Sequence, residues 1–60
     1  MLIDIREEWR QVFAHHRATC DDDGRAAWLT WREMCERFGE DSYEAGFAKS
    51  ALAAWINDQE

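Results

Sequence analysis

The sequence contains no proline, and it has only three glycines and two cysteines among its 60 residues. Without proline, none of its helices is broken by a missing backbone N–H group. Two cysteines, Cys20 and Cys35, are too few for the disulfide framework of a small secreted domain. We therefore expect a helical protein with reduced thiols, located in the cytoplasm.

Basic residues and long apolar runs are also scarce. Seven Lys and Arg residues are outnumbered by thirteen Asp and Glu residues, which gives a net charge of −6 at pH 7. Because phosphate contacts need clustered Lys and Arg, we expect no direct binding of nucleic acid and none of an anionic membrane surface. No stretch approaches the roughly 18 apolar residues of a membrane span, and the start MLIDIREEWR does not resemble a signal peptide. An acidic chain is better matched to a basic partner surface.

Apolar residues recur at helical spacing along the whole chain, which predicts one all-α domain over residues 1–60. We predict a compact three-helix bundle, possibly dimeric, with helices at residues 5–18, 24–38 and 42–57. The predicted apolar stripes are Ile5, Trp9, Val12, Phe13 and His16 in the first helix and Ala27, Trp28, Trp31, Met34, Cys35 and Phe38 in the second. In the third helix a wider apolar arc covers more than half of the circumference and leaves apolar surface to spare; its residues are Tyr43, Phe47, Ala48, Ala51, Leu52, Ala54, Trp55 and Ile56.

Polar residues and glycines mark the helix ends. Asp4 followed by Glu7 has the spacing of a capping box, and Asp41 followed by Glu44 repeats that spacing before the third helix. Gly39 stands where a left-handed residue ends a helix, and Gly24 is expected to let the chain turn into the second helix. Asp21, Asp22 and Asp23 are predicted to lie at the N-terminus of the second helix, where the helix dipole favours negative charge.

Some apolar surface is left over after this packing. Leu29 lies on the polar side of the second helix, and Ile3 also lies off the apolar stripe. Gly46, Ser50 and Ala53 form a small-residue side of the third helix that would permit close helix approach. Surplus apolar surface on a small protein predicts a partner contact or a homodimer. Alternatively, loops or the N-terminus cover it.

The stretch HHRATCDDDGR, residues 15–25, groups several potential metal ligands. His16 and Cys20 are four residues apart and so share a helix face, and Cys35 is a possible third zinc ligand. The close-spaced ligand pairs of typical zinc sites are missing, however, and a hydrogen-bonded core histidine also explains His16. With Gly24 at the sixth loop position, an EF-hand would have threonine where it needs its first Asp and last Glu, which excludes that motif. A zinc-binding domain remains a minor alternative, and we expect no cofactor.

A catalytic set is not expected. Cys20 and His16 resemble a nucleophile and its base, but three short helices offer little room for a pocket that excludes water and fixes geometry. The sequence also has no glycine-rich phosphate loop. We therefore predict a protein that is not an enzyme.

Trp9, Trp28 and Phe47 are each nineteen residues apart, with one in each predicted helix. This spacing resembles the aromatic triad of Myb/SANT repeats, which are three-helix domains of similar size. The third helix of that family carries basic residues into the DNA major groove. Here the third helix has one lysine, Lys49, and an acidic start. The resemblance therefore implies a fold without implying that the chain reads DNA.

Two acidic clusters lie at the predicted joints: Asp21, Asp22 and Asp23 form the first, and Glu36, Glu40, Asp41 and Glu44 form the second. Capping and solubility explain them without a partner, but one cluster is also suited to occupy a basic pocket. The clusters would lie about 20 Å apart along the second helix, which disfavours mimicry of a long duplex. The predicted partner-binding residues are Asp21, Asp22, Asp23, Leu29, Glu36, Glu40, Asp41, Glu44 and Trp55.

In general character, a small, acidic, Trp-rich helical chain without a catalytic set resembles the inhibitors that bacteriophages and other mobile elements encode, anti-CRISPR proteins among them. That class has no common motif or fold, so the resemblance transfers no residue roles. It implies a module that binds a host protein or nucleoprotein complex in the host cytoplasm and blocks a site. A structural or regulatory homo-oligomer is the alternative.

Overall fold

Three α-helices make up the computed structural model, which describes residues 4–58. Helix α1 spans Ile5–Thr19, α2 spans Asp23–Phe38 and α3 spans Tyr43–Asp58. This confirms the predicted all-α bundle, and each observed helix end lies within one residue of the predicted end. No helix in the described part of the chain is long and apolar enough to cross a bilayer. Ile3, which was predicted to lie off the apolar stripe, is outside the described residues.

Aspartates cap the first two helices. An Asp4 side-chain oxygen accepts a hydrogen bond from the backbone N–H of Arg6 at 3.0 Å, and Asp22 accepts one from the backbone N–H of Arg25 at 3.2 Å. Each carboxylate satisfies one of the N–H groups that the first turn leaves without a partner. Both caps also place negative charge at the positive end of a helix dipole.

Ser42, and not the predicted Asp41, caps α3. The Ser42 hydroxyl oxygen accepts a hydrogen bond from the backbone N–H of Ala45 at 3.1 Å, and its carbonyl accepts the first helical bond from Gly46 at 3.1 Å. The prediction was wrong by one residue because Asp and Ser are comparably good caps and stand side by side. The capping-box spacing of Asp41 and Glu44 therefore does not mark the start of the helix.

Two glycines behave differently from the prediction. Gly39 has a positive φ of 99°, as predicted for the end of α2, but its ψ of 150° is extended and not left-handed helical. Its N–H group donates to the carbonyl of Cys35 at 2.8 Å, and its own carbonyl accepts from Ser42 at 3.2 Å, which closes the turn. Gly24 has no positive φ and lies inside α2, so it does not serve as a turn residue.

The core is built from small side chains, and α2 is the central helix. Met34 of α2 packs with Val12 of α1 and Ala48 of α3. Small residues where helices meet let their axes approach closely, which leaves little space for rings between them. The partly buried side chains around this centre are Ile5, Trp9, Trp31 and Phe38, and the other buried residues are Ala26, Ala27, Thr30, Cys35 and Ala45.

The small-residue side of α3, predicted to lie opposite the apolar arc, is exposed. Gly46, Ser50 and Ala53 are exposed, and a Cβ atom added to Gly46 would meet nothing within 4 Å. Ala45 and Ala48 are the small residues that α3 buries instead. Apolar and small residues occur all around α3, so their periodicity did not single out the buried face.

Candidate functional site

All eight aromatic side chains remain at least partly exposed to solvent. Tyr43 is 74% exposed and Trp28 is 45% exposed, and among aliphatic residues Ile56 is 48% exposed. Trp28 belongs to the predicted apolar stripe of the second helix, and Tyr43 and Ile56 belong to the third-helix arc that was predicted to have apolar surface to spare; the structure shows all three exposed. The alanine-lined contacts between helices explain the difference, because close-packed backbones push large side chains to the margins.

Aromatic contacts therefore form along single helices near the surface. The rings of Trp9 and Phe13 stack on α1 with centroids 4.8 Å apart, and the Arg32 guanidinium carbon lies 5.9 Å from the Trp28 ring centroid. Trp9 packs against the core cluster, whereas Trp28 is largely exposed and Phe47 is half-buried. The equally spaced triad thus does not form the common aromatic core that the Myb/SANT resemblance implies.

We define the outer face of α3 as the exposed residues of that helix from Tyr43 to Asn57. Tyr43 stands near one end of this face and Ile56 near the other, about 20 Å apart along the helix axis. Among its residues only Lys49 is charged, although a third of the whole sequence is charged. The members of this face are Tyr43, Gly46, Lys49, Ser50, Ala53, Ala54, Ile56 and Asn57.

The first acidic cluster closes the joint between α1 and α2. Asp22 caps α2, and Asp23 pairs with the guanidinium of Arg17. The same guanidinium donates to the carbonyl of Cys20 at 2.7 Å, and Asp21 is exposed. Two of the three carboxylates therefore hold the joint together, and Asp21 is the most available to a partner.

The second acidic cluster lies around the turn from α2 to α3. Because α2 has 16 residues, its two ends and hence the two clusters are separated by about 24 Å. The structure therefore keeps the predicted partner-binding residues in separate groups. Glu36, Glu40 and Asp41 are exposed, whereas Glu44, Leu29 and Trp55 are half-buried.

A chain of polar contacts joins α1 to α2 on another side of the bundle. The Nε2 atom of His16 lies 2.8 Å from one carboxylate oxygen of Glu33, and an Arg37 guanidinium nitrogen forms an ion pair with the other oxygen at 2.8 Å. Arg37 also donates to Glu8 on α1 at 2.9 Å. His16 is thus a half-buried, hydrogen-bonded histidine, as one of the two interpretations of the sequence has it.

A cavity of about 320 Å³ lies next to these contacts, and we call it the α1–α2 groove. The sequence alone did not predict this groove. The spacing of Glu33 and Arg37 on α2 was the available signal, because residues four apart on a helix are neighbours. Glu8 is 29 positions from Arg37, so that pair depends on how the helices pack. The groove is lined by Glu8, Gln11, Val12, His15, Glu33 and Arg37.

No known protein family, curated protein or solved structure matches this chain. Its function is therefore argued from the chemistry of its own surfaces.

The potential metal ligands of the sequence do not assemble. Within residues 4–58, no group of three or more His, Cys, Asp or Glu side chains is placed to hold a metal ion. Cys20 and Cys35 are both free thiols, with Cys35 buried. His16 directs a ring nitrogen to Glu33, so the predicted set of His16, Cys20 and Cys35 has no support in the described structure.

Proposed function

We propose that this chain is a non-enzymatic protein-binding module that contacts its partner through the outer face of α3. The supporting observation is that face itself. It exposes large apolar side chains at both ends and carries one charge along its length. An extended, weakly charged surface on a small and otherwise highly charged protein is typical of an interaction site.

Tyr43 and Ile56 are suited to be the anchors of this contact. Both are exposed, and binding energy in protein interfaces concentrates in a few residues, among which aromatic side chains are prominent. The small residues Gly46, Ser50 and Ala53 lie between them and let a partner's backbone approach α3 closely. A helix or extended segment laid along α3 satisfies this geometry.

The charge of the chain indicates the chemistry of the partner. The net charge is −6, and exposed carboxylates occur at both ends of α2. Complementary potentials speed encounter and set orientation, so the partner is expected to carry basic residues around its contact surface. A host protein or nucleoprotein complex with a basic site, blocked sterically and electrostatically, fits this chemistry and the mode of action of small phage inhibitors.

Quantitative affinity capture tests the proposal. The tagged chain is compared with a Tyr43→Ser, Ile56→Ser double variant, and an Ala14→Ser, Ala18→Ser double variant at exposed positions of α1 serves as the control. We expect wild type and control to recover one partner in equal amounts, and the first variant to recover at least about tenfold less, since losing two anchors removes most interface energy. Circular dichroism verifies that all three proteins are folded.

Two outcomes contradict the proposal. One is that no stoichiometric partner is recovered from a bacterial lysate at any salt concentration. The other is that a partner is recovered equally by wild type and by the Tyr43, Ile56 variant, since the contact then lies elsewhere. A recovered partner whose contact surface is acidic overturns the electrostatic part of the argument.

The same face favours a second candidate, a structural or regulatory homo-oligomer. Two copies joined through the outer faces of α3 would bring few like charges together. Sedimentation equilibrium separates the two candidates. A dimer at micromolar concentration that the Tyr43→Ser, Ile56→Ser variant dissociates supports self-association, and a wild-type monomer at that concentration excludes it.

A further inference from the structure

We infer that the α1–α2 groove binds an arginine side chain of a protein partner. This inference concerns a different side of the bundle from the outer face of α3 and extends the proposed function by a second contact. Three features of the groove support it: its charge, the hydrogen-bond acceptors around it and the apolar side chain in its lining.

The groove carries excess negative charge. Glu8 and Glu33 contribute two carboxylates, and their side chains are 27% and 24% exposed, whereas Arg37 contributes one guanidinium. Charges that are largely buried are screened by salt less than fully exposed ones. With two carboxylates against one guanidinium, the groove favours a cation over a phosphate or carboxylate.

The one guanidinium group in the groove, that of Arg37, is already paired with carboxylates. One terminal nitrogen of Arg37 donates to Glu8, and the other forms an ion pair with Glu33. Glu8 has a second carboxylate oxygen beyond the one that Arg37 holds. Gln11 and His15, which also line the groove, add an amide oxygen and an imidazole nitrogen that can accept hydrogen bonds. The lining thus offers acceptors to an incoming group.

A guanidinium group fits these acceptors better than other cations. It is planar and presents five N–H donors, so it can engage several acceptors along α1 at once, whereas an ammonium group is a compact point charge. Val12 is the apolar side chain in the lining, and the methylene groups of an arginine can pack against it. A metal ion is disfavoured, because no suitable group of three ligands occurs among residues 4–58.

The test titrates the purified 60-residue chain with N-acetyl-arginine methylamide and follows backbone amides by NMR. The citrulline analogue, which has the same shape without the charge, is the matched probe. We expect saturable shifts at residues 8–16 and 33–37 with a dissociation constant on the order of millimolar for the arginine probe. The citrulline analogue is expected to bind at least about tenfold more weakly, as loss of a charge-assisted hydrogen bond requires.

Two variants locate the binding site. Glu8→Gln removes one groove charge and is expected to weaken arginine binding several-fold, whereas Glu44→Gln removes one charge from α3 and should leave it unchanged. Gln11→Lys places an ammonium group in the groove, one helical turn from Glu8, and should abolish binding by competing with the probe. This variant keeps the test decisive even if Glu8→Gln perturbs the fold.

The inference is overturned if citrulline and arginine probes shift the same amides equally, or if Gln11→Lys binds as wild type does. It is also overturned if the shifts centre on Asp21 and its neighbours, because the probe then responds to general acidity. None of these outcomes affects the capture experiment with Tyr43 and Ile56. The arginine-binding inference and the proposed contact through the outer face of α3 can therefore be contradicted independently.

Discussion

The indole ring of Trp55 lies directly against Gly24. A Cβ atom built on Gly24 would stand 2.5 Å from Cη2 and 2.6 Å from Cζ3 of that ring. Gly24 lies inside α2 with no positive φ, so the backbone itself does not require glycine there. The absence of a side chain at Gly24 is what allows the C-terminal part of α3 to pack across the beginning of α2.

Replacing Gly24 with alanine should therefore destabilise the protein. Alanine is the better helix former by about 1 kcal/mol, but forcing a methyl group into a packed contact costs typically 1–3 kcal/mol, roughly enough to outweigh that gain. Gly46→Ala is the matched control, because a Cβ atom there meets nothing within 4 Å. It should stabilise the protein by about 0.5–1 kcal/mol. Urea denaturation of both variants checks the opposite signs, and equal shifts would contradict the contact.

Removing the charge of Glu33 should loosen the α1–α2 interface. Glu33 contacts both His16 and Arg37, so Glu33→Gln weakens two contacts at once. The partners are partly exposed, so we expect a loss of only about 0.5–1.5 kcal/mol, which shrinks as salt approaches about 1 M. Glu36→Gln, at an exposed position of the same helix, should change the free energy of unfolding little. Equal effects of the two substitutions at low salt would show that the contacts do not stabilise the bundle.

Two neighbouring residues distinguish the observed cap of α3 from the predicted one. Ser42→Ala removes the hydroxyl that accepts from Ala45 and should cost about 1 kcal/mol. Asp41→Ala removes only a favourable charge near the helix start, worth about 0.3–1 kcal/mol. Thermal unfolding followed by circular dichroism ranks the two. If Asp41→Ala proves the more damaging, the helix begins one residue earlier than the structure shows.

Thr30 is fully buried in α2, and its hydroxyl donates to the carbonyl of Ala26 at 2.7 Å. In Thr30→Val the shape of the side chain is kept, and Ala26 remains bonded through the helix backbone, so we expect a change within about 1 kcal/mol. Thr30→Ser keeps the hydroxyl but leaves a methyl-sized void, which should cost about 1 kcal/mol or more. Denaturation midpoints should place the valine variant above the serine variant, and the reverse order would show that the hydroxyl matters more than packing.

Local chemistry determined the helices. The lack of proline, the 3.6-residue periodicity and the polar residues at the joints are all local signals, so each helix end was predicted within one residue. The Asp22 cap and the positive φ of Gly39 follow from the same kind of signal, because each acts within its own turn. The apolar periodicity likewise indicated Val12, Met34 and Ala48 as apolar-face residues, and all three are buried.

Tertiary packing decided which surfaces remain free. Periodicity does not report how closely two helix axes approach, so it did not determine that Trp28, Tyr43 and Ile56 are exposed. The Glu8–Arg37 contact joins residues 29 positions apart and exists only because α1 and α2 lie side by side. The outer face of α3 and the α1–α2 groove are products of that arrangement, since alanines where the helices meet draw the backbones together and leave the larger side chains at the surface.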